Sequence, residues 1–382
     1  MSTSVWDTWL AQRAEQRRGR GTVRTDPVLR SGDAPLLDLA SNDYLGLAAD
    51  PRVVTAAHEA LERYGASATA SRLVTGTLPV HHDLESALCA LTGQPSALVF
   101  STGYAANLGA LTALSGQGAQ ILLDAHAHAS LHDAARMSRM PHDTFAHNDP
   151  AALEVALRAR RGYRVVVAVE SIYSVLGDRA PLADLVEVCG SHDALLVVDE
   201  AHGIGVAGDG RGLLFELGLV GTPNVVVTAT LSKSLGSQGG AVLGTGPIRD
   251  HLLNTARPFI FDTGLAPAAA GAALAAAQIV AADESLAASV RTNAATISEI
   301  CGIRASAGAV QSIPMPTPDA AVAACLELRD RGVLVGCFRP PSVPDGVSRL
   351  RVTARADLPS VDVAEAAHLV AEIACHHRGA AA

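Results

Sequence analysis

Five short apolar runs rich in Val, Ile and Leu recur along the chain, at 97–100, 120–124, 163–170, 194–199 and 224–230, with 20 or more helix-patterned residues between most of them. An uninterrupted apolar run of strand length fits a strand covered on both faces, and helices between such runs carry the chain from one parallel strand to the next. The sequence therefore predicts an α/β fold, a large and mostly parallel sheet covered by helices. The segment "GGAVLG" (239–244) is a candidate sixth strand. After about residue 270 the pattern changes to helices mixed with short strands at 308–315, 333–338 and 348–354, which predicts a smaller C-terminal α+β domain. The division expected is an N-terminal arm over 1–45, a large domain over 46–270 and a small domain over 271–382.

A length of 382 residues is enough for a large core and a second domain. Hydrophobic residues make up 49% and charged ones 18%, which speaks against disorder. A net charge of -9 argues against nucleic-acid binding over the whole surface, and the basic run "RAEQRRGRGTVR" (13–24) is read as a solvated arm. Six scattered cysteines with no CxxC pair suggest neither a zinc cluster nor a disulfide framework, so no metal is expected and a cytoplasmic location fits. The N-terminus lacks the apolar core of an export signal. Trp6, Trp9, Leu10 and Arg13 stand at helical spacing instead, as in an amphipathic arm that docks on something. The Ala-rich stretch 265–282 is long and uncharged, but Pro267 and Gln278 interrupt it and alanine contributes little transfer energy, so it reads as a closely packed helix.

Polar residues gather where each strand run ends: "STGYAAN" (101–107), "DAHAHAS" (124–130), "ESIYS" (170–174), "DEAHG" (199–203) and "TLSK" (230–233). Open α/β sheets bind ligands beyond the carboxyl ends of their strands. Lys233 is the only lysine of the chain, and the other 28 members of its 29 Lys and Arg residues are arginine. A guanidinium stays protonated, whereas a shielded amine can lose its proton and form an imine with a carbonyl. In "DEAHG", Asp199 at a buried strand end could keep a heterocyclic nitrogen protonated, and His202 could hydrogen-bond a phenolate oxygen. The helix start at Gly103 and Tyr104 offers free amides to a phosphate. A helicase reading of the acidic stretch fails because no GxxxxGK[ST] loop is present. Together these needs describe pyridoxal phosphate, with Lys233 as imine residue and His128 as a candidate for the ring face.

The ordered set "SNDYLGL" (41–47), "GASATASRLVTGT" (65–77), "STGYAAN", "DAHAHAS", "VVDEAHGIGVAG" (197–208), "TLSKSLGSQGG" (230–240) and "SRLRVT" (348–353) resembles the α-oxoamine synthase family of fold type I pyridoxal phosphate enzymes, from about residue 6 to the C-terminus. The resemblance implies a decarboxylative condensation of an amino acid with an acyl thioester. It also implies site roles: Gly103, Tyr104, His128, Ser174, Asp199, His202, Thr230 and Lys233 for the cofactor, and Thr263 reaching the partner's phosphate in a homodimer whose active site lies at the interface. Arg351 would pair with the amino-acid carboxylate, Asn42 and Ser342 would line the substrate side with His128, and Glu170 is a further candidate. An arginine of the arm would touch the acyl substrate, with Arg20 chosen over Arg18 or Arg24. The phrases "FAHND" (145–149) and "CFRPPSVPDGVSRLRVTA" (337–354) carry a closer likeness to members that join L-alanine to pimeloyl-CoA or pimeloyl acyl carrier protein in biotin biosynthesis. The alternatives are a sister synthase, joining glycine to acetyl-CoA or serine to a long acyl chain, and a noncatalytic regulator on the same fold.

Overall fold

The computed structural model describes residues 4–24 and 36–379; the rest of the expected 1–45 arm lies outside the described residues. In chain order the strands are β1 (Leu37–Leu39), β2 (Ser96–Phe100), β3 (Ala119–Asp124), β4 (His142–Phe145), β5 (Arg164–Glu170) and β6 (Leu195–Asp199). They continue with β7 (Val225–Thr230), β8 (Gly240–Gly244), β9 (Val310–Pro314), β10 (Val333–Phe338) and β11 (Arg349–Thr353). The five apolar runs are β2, β3, β5, β6 and β7, each within one residue of its expected span.

The large sheet has seven strands in the order β2-β8-β7-β6-β5-β3-β4. It is parallel except at β8, which runs antiparallel to both β2 and β7. Leu122, Val167, Ala168, Leu196, Val197 and Val198 are wholly buried. Each fully buried Val or Leu side chain contributes roughly 1.5–3 kcal/mol, which is why these strands carry no polar alternation. One consequence decides where the site is: Asp124, Glu170, Asp199 and Thr230 end four parallel strands on one edge of the sheet.

The small domain is a four-stranded sheet in the order β1-β10-β11-β9. Here the structure departs from the expected boundaries. Leu37–Leu39, placed by sequence in an arm, pairs in parallel with Val333–Val335 and belongs to the small-domain sheet. The Ala-rich helix Pro267–Ala282 crosses the expected 270/271 boundary and packs on the large-domain helices Pro51–Tyr64 and Pro79–Thr92. A Cβ on Gly271 would stand 2.7 Å from both Ala56 O and Ala60 Cβ, so small residues are what let these helices approach. Among the described residues no single helix is long and apolar enough to cross a membrane. The N-terminal helix Val5–Gly19 forms behind a Ser4/Asp7 capping box, but it buries none of its residues and leaves Trp6 71% exposed.

Candidate active site

The helix Gly103–Ser115 starts directly over the sheet edge. Its Thr102 cap accepts from Ala105 N–H, and among the described residues the amides of Gly103 and Tyr104 meet no protein acceptor. Glycine is required there by close approach: a Cβ on Gly103 would lie 3.0 Å from Thr230 Cβ and Oγ1, and one on Gly240 would lie 2.4 Å from Thr102 O. The result is two free donors at a helix start, beside the Thr230 hydroxyl, which hydrogen-bonds Ser232 at 2.7 Å. A phosphate-sized anion fits this donor set.

Beside this cradle, Lys233 Nζ lies 2.9 Å from His202 Nε2. Burial pushes the Lys233 ammonium down to about 8, against the opposing pull of Asp199 and Glu170. Burial holds the His202 imidazole well below its ordinary value, so it is neutral, and Tyr44 Oη occupies its other nitrogen at 2.8 Å. Asp199 is buried and held from two sides: Ala201 N–H donates to Oδ1 at 2.9 Å and Asn107 Nδ2 to Oδ2 at 2.7 Å. Asn107 Nδ2 also donates to Ser130 Oγ at 2.8 Å, and that hydroxyl contacts His128 Nδ1 at 2.8 Å. One polar chain thus fixes both Asp199 and His128. Glu170 sits opposite Asp199 in the β5–β6 register; burial and the Asp199 charge push its carboxyl up, to about 8.

A cavity of about 610 Å³ opens over these groups and brings together Asn42, His128, Ser174, His202, Lys233, Ser342 and Arg351. Arg351 is 4% exposed. It donates from Nε to Ser174 O at 3.0 Å, from Nη1 to Asn42 Oδ1 at 3.0 Å and from Nη2 to Tyr44 Oη at 3.3 Å. Among the described residues no carboxylate forms an ion pair with it, whereas its strand neighbour Arg349 is paired with Asp345. Buried cations are normally paired, so a guanidinium without a carboxylate on a cavity wall is a place for a ligand's carboxylate. Burial in the strand Arg349–Thr353 is what separates Arg351 from an ordinary solvent-facing strand arginine.

Arg20 ends the N-terminal helix, exposed, and is not among the residues lining the cavity; Arg24, four positions on, lines it and reaches Ser342 Oγ at 2.6 Å. The reason is local: Arg339 fastens the carbonyls of Gly21 and Val23, which turns Arg24 inward. Thr263 lies exposed in the turn before Pro267. Asn107 and Tyr44 had no assigned role from sequence, although both stand inside quoted motifs.

The chain matches the family model "Aminotransferase class I and II" over residues 34–370. It is 52% identical over 367 residues to the 8-amino-7-oxononanoate synthase of Mycolicibacterium gilvum (strain PYR-GCK), covering 96% of each chain. It is 51% identical over 366 residues to that of Mycobacterium leprae (strain Br4923), covering 96% of this chain and 95% of the relative. Among solved structures, a serine palmitoyltransferase variant from S. paucimobilis with bound PLP and myriocin superposes with a TM-score of 0.90 at 29% identity, over 98% of this chain and 99% of that one.

Proposed function

We infer function from one premise: the chain belongs to the aminotransferase class I and II family. Within it the chain is a pyridoxal-phosphate-dependent acyltransferase that condenses L-alanine with a pimeloyl thioester, releasing CO2 and the thiol and forming 8-amino-7-oxononanoate, a step of biotin synthesis. The observation that carries this reading is the pairing, in one cavity, of an amine poised to lose its proton with a buried guanidinium that no carboxylate among the described residues neutralises.

The residues present fit the cofactor. The Gly103 and Tyr104 amides with Thr230 suit its phosphate, Asp199 its ring nitrogen and His202 its phenolic oxygen, while His128 suits its ring face. When bound, the ring supplies an electron sink at the amino-acid Cα. The side chains do the rest. Arg351 holds the alanine carboxylate in its planar fork, with Asn42, Tyr44 and Ser174 O fixing the guanidinium in place. Lys233 takes the Cα proton, and a pKa near 8 leaves the free amine able to do so near neutral pH. A C–C bond then forms to the thioester carbonyl as the thiol leaves, the carboxylate departs as CO2, and the electron pair it leaves on Cα takes a proton back from Lys233. A second cavity of about 620 Å³ shares Arg24, Phe338 and Ser342 with the first and is walled by Val322, Leu326 and Val335. Its apolar wall supports an acyl chain as the second substrate, with Arg24 rather than Arg20 at the junction.

The chain works as a homodimer with the site at the subunit interface. The exposed Thr263 and the uncovered Trp6, Trp9 and Leu10 face support this. Sedimentation should give twice the 39.2 kDa chain mass, and an active species of one chain mass would refute it. For the reaction itself, L-alanine labelled in its carboxyl carbon should release labelled CO2 and free thiol in equal amounts with pimeloyl-CoA; thiol without CO2 would exclude the decarboxylative step.

A further inference from the structure

The motif "FAHND" reaches the site without entering it. Neither His147 nor Asn148 lines the 610 Å³ cavity, yet both are bound to loops that do. His147 Nδ1 lies 2.7 Å from Asp124 Oδ1 and its Nε2 2.8 Å from Asp178 Oδ2. Ionised carboxylates only accept, so both ring nitrogens carry a proton and the ring is an imidazolium. Burial works against that charge, but the two carboxylates override it and raise His147 to about 9. Asn148, in the left-handed region at φ 54, repeats the bridge: its N–H donates to Asp124 Oδ2 at 2.9 Å and its Nδ2 to Asp178 Oδ2 at 2.7 Å.

The two carboxylates belong to two different walls of the site. Asp124 starts the loop that carries His126 and His128, and its Oδ1 also accepts from His126 N–H at 2.8 Å. The His126 ring, on the cavity wall, stacks on His147 with centroids 3.7 Å apart, and the Tyr173 ring meets the same imidazole edge-on at 4.5 Å. Asp178 closes the 173–178 turn by accepting from Tyr173 N–H, and the next residue in that turn is Ser174, whose carbonyl receives Arg351 Nε. Gly177 O of the same turn accepts from Ala307 N–H of the small domain at 2.8 Å.

We propose that His147, assisted by Asn148, is a positioning residue that clamps the His128 loop to the Ser174 loop and so fixes the distance between the cofactor face and the Arg351 carboxylate site. The proposal rests on the function given above. Losing the clamp lets the two walls move independently, which costs amino-acid binding more than it costs the proton transfer at Lys233.

The test uses the holoenzyme and L-alanine without acyl donor. Alanine binding is followed by the change it causes in the bound cofactor's visible absorbance and circular dichroism. In His147→Ala the alanine dissociation constant should rise about tenfold, a typical size for coupling through packed outer residues, and the visible dichroism should weaken as the ring loses its fixed orientation. Asp178→Asn, which keeps the shape of the turn, should move both readouts in the same direction and serves if His147→Ala does not fold. The double variant should be no worse than His147→Ala alone, because both changes cut one link. A folded His147→Ala or Asp178→Asn protein with unchanged alanine affinity and dichroism, whatever its melting temperature, would overturn the clamp. A wild-type protein that ignores L-alanine would instead overturn the function it rests on.

Discussion

Lys233→Ala is expected to abolish the long-wavelength absorbance of the bound cofactor and to lower turnover by at least about 1,000-fold, the scale of a lost general base that is also the attachment point. Lys233→Arg should do the same, because a guanidinium restores the charge but stays protonated at every accessible pH. The geometry supports this outcome: Nζ sits 2.9 Å from a neutral His202, in a site where burial has already taken the amine down to about 8. A pKa that low also has a signature in the wild type. At pH 7 about one-tenth of the amine is neutral, against roughly one part in 3,000 for an ordinary lysine. Only the neutral form attacks an aldehyde, so cofactor capture by the cofactor-free protein should quicken as pH rises and level off above about 8. A variant that keeps a borohydride-sensitive band, or a wild-type capture rate still climbing at pH 10, would contradict the assignment.

Arg351→Ala is expected to raise the KM for L-alanine about 100-fold with a smaller fall in kcat. Hydrogen bonds to a charged group are each worth roughly 1.5–3 kcal/mol, and a bidentate pair lost from a buried site exceeds the 1.4 kcal/mol of a single tenfold step. Arg351→Lys restores the charge without the fork and should recover about a tenth to a third of the loss on that logarithmic scale. Steady-state kinetics at saturating acyl donor separates the two constants. An unchanged KM in Arg351→Ala would remove the carboxylate role and leave the burial of the wild-type guanidinium, without an ion pair among the described residues, unexplained.

How far the sequence carried this account depends on the range of each interaction. Strands covered on both faces announce themselves as apolar runs, so β2, β3, β5, β6 and β7 were legible. The edge strand β4 was not, because three of its four residues are exposed and nothing apolar marks them. The three-residue β1 was hidden in the expected arm because its pairing partner lies almost 300 residues further on. At the site, Lys233 stood out by composition and Asp199 by its place at a strand end. Asn107 and Tyr44 did not stand out: their partners Asp199 and His202 are 92 and 158 residues away, and an asparagine in a helix or a tyrosine in a loop signals nothing alone. Arg351 needed its motif, since a second arginine two residues earlier on the same strand face looks the same until their carboxylate partners are compared.

The most direct test of the central claim is thiol release by the purified holoenzyme with L-alanine, glycine or L-serine, each offered with pimeloyl-, acetyl- or palmitoyl-CoA, and with pimeloyl acyl carrier protein beside them. The account predicts turnover with L-alanine and a pimeloyl donor, and little or none with acetyl- or palmitoyl-CoA. Preferred turnover of glycine with acetyl-CoA or of serine with palmitoyl-CoA would contradict the assigned reaction while leaving Lys233 and the cofactor site standing, and silence with every donor in a protein that binds the cofactor would contradict the enzyme itself.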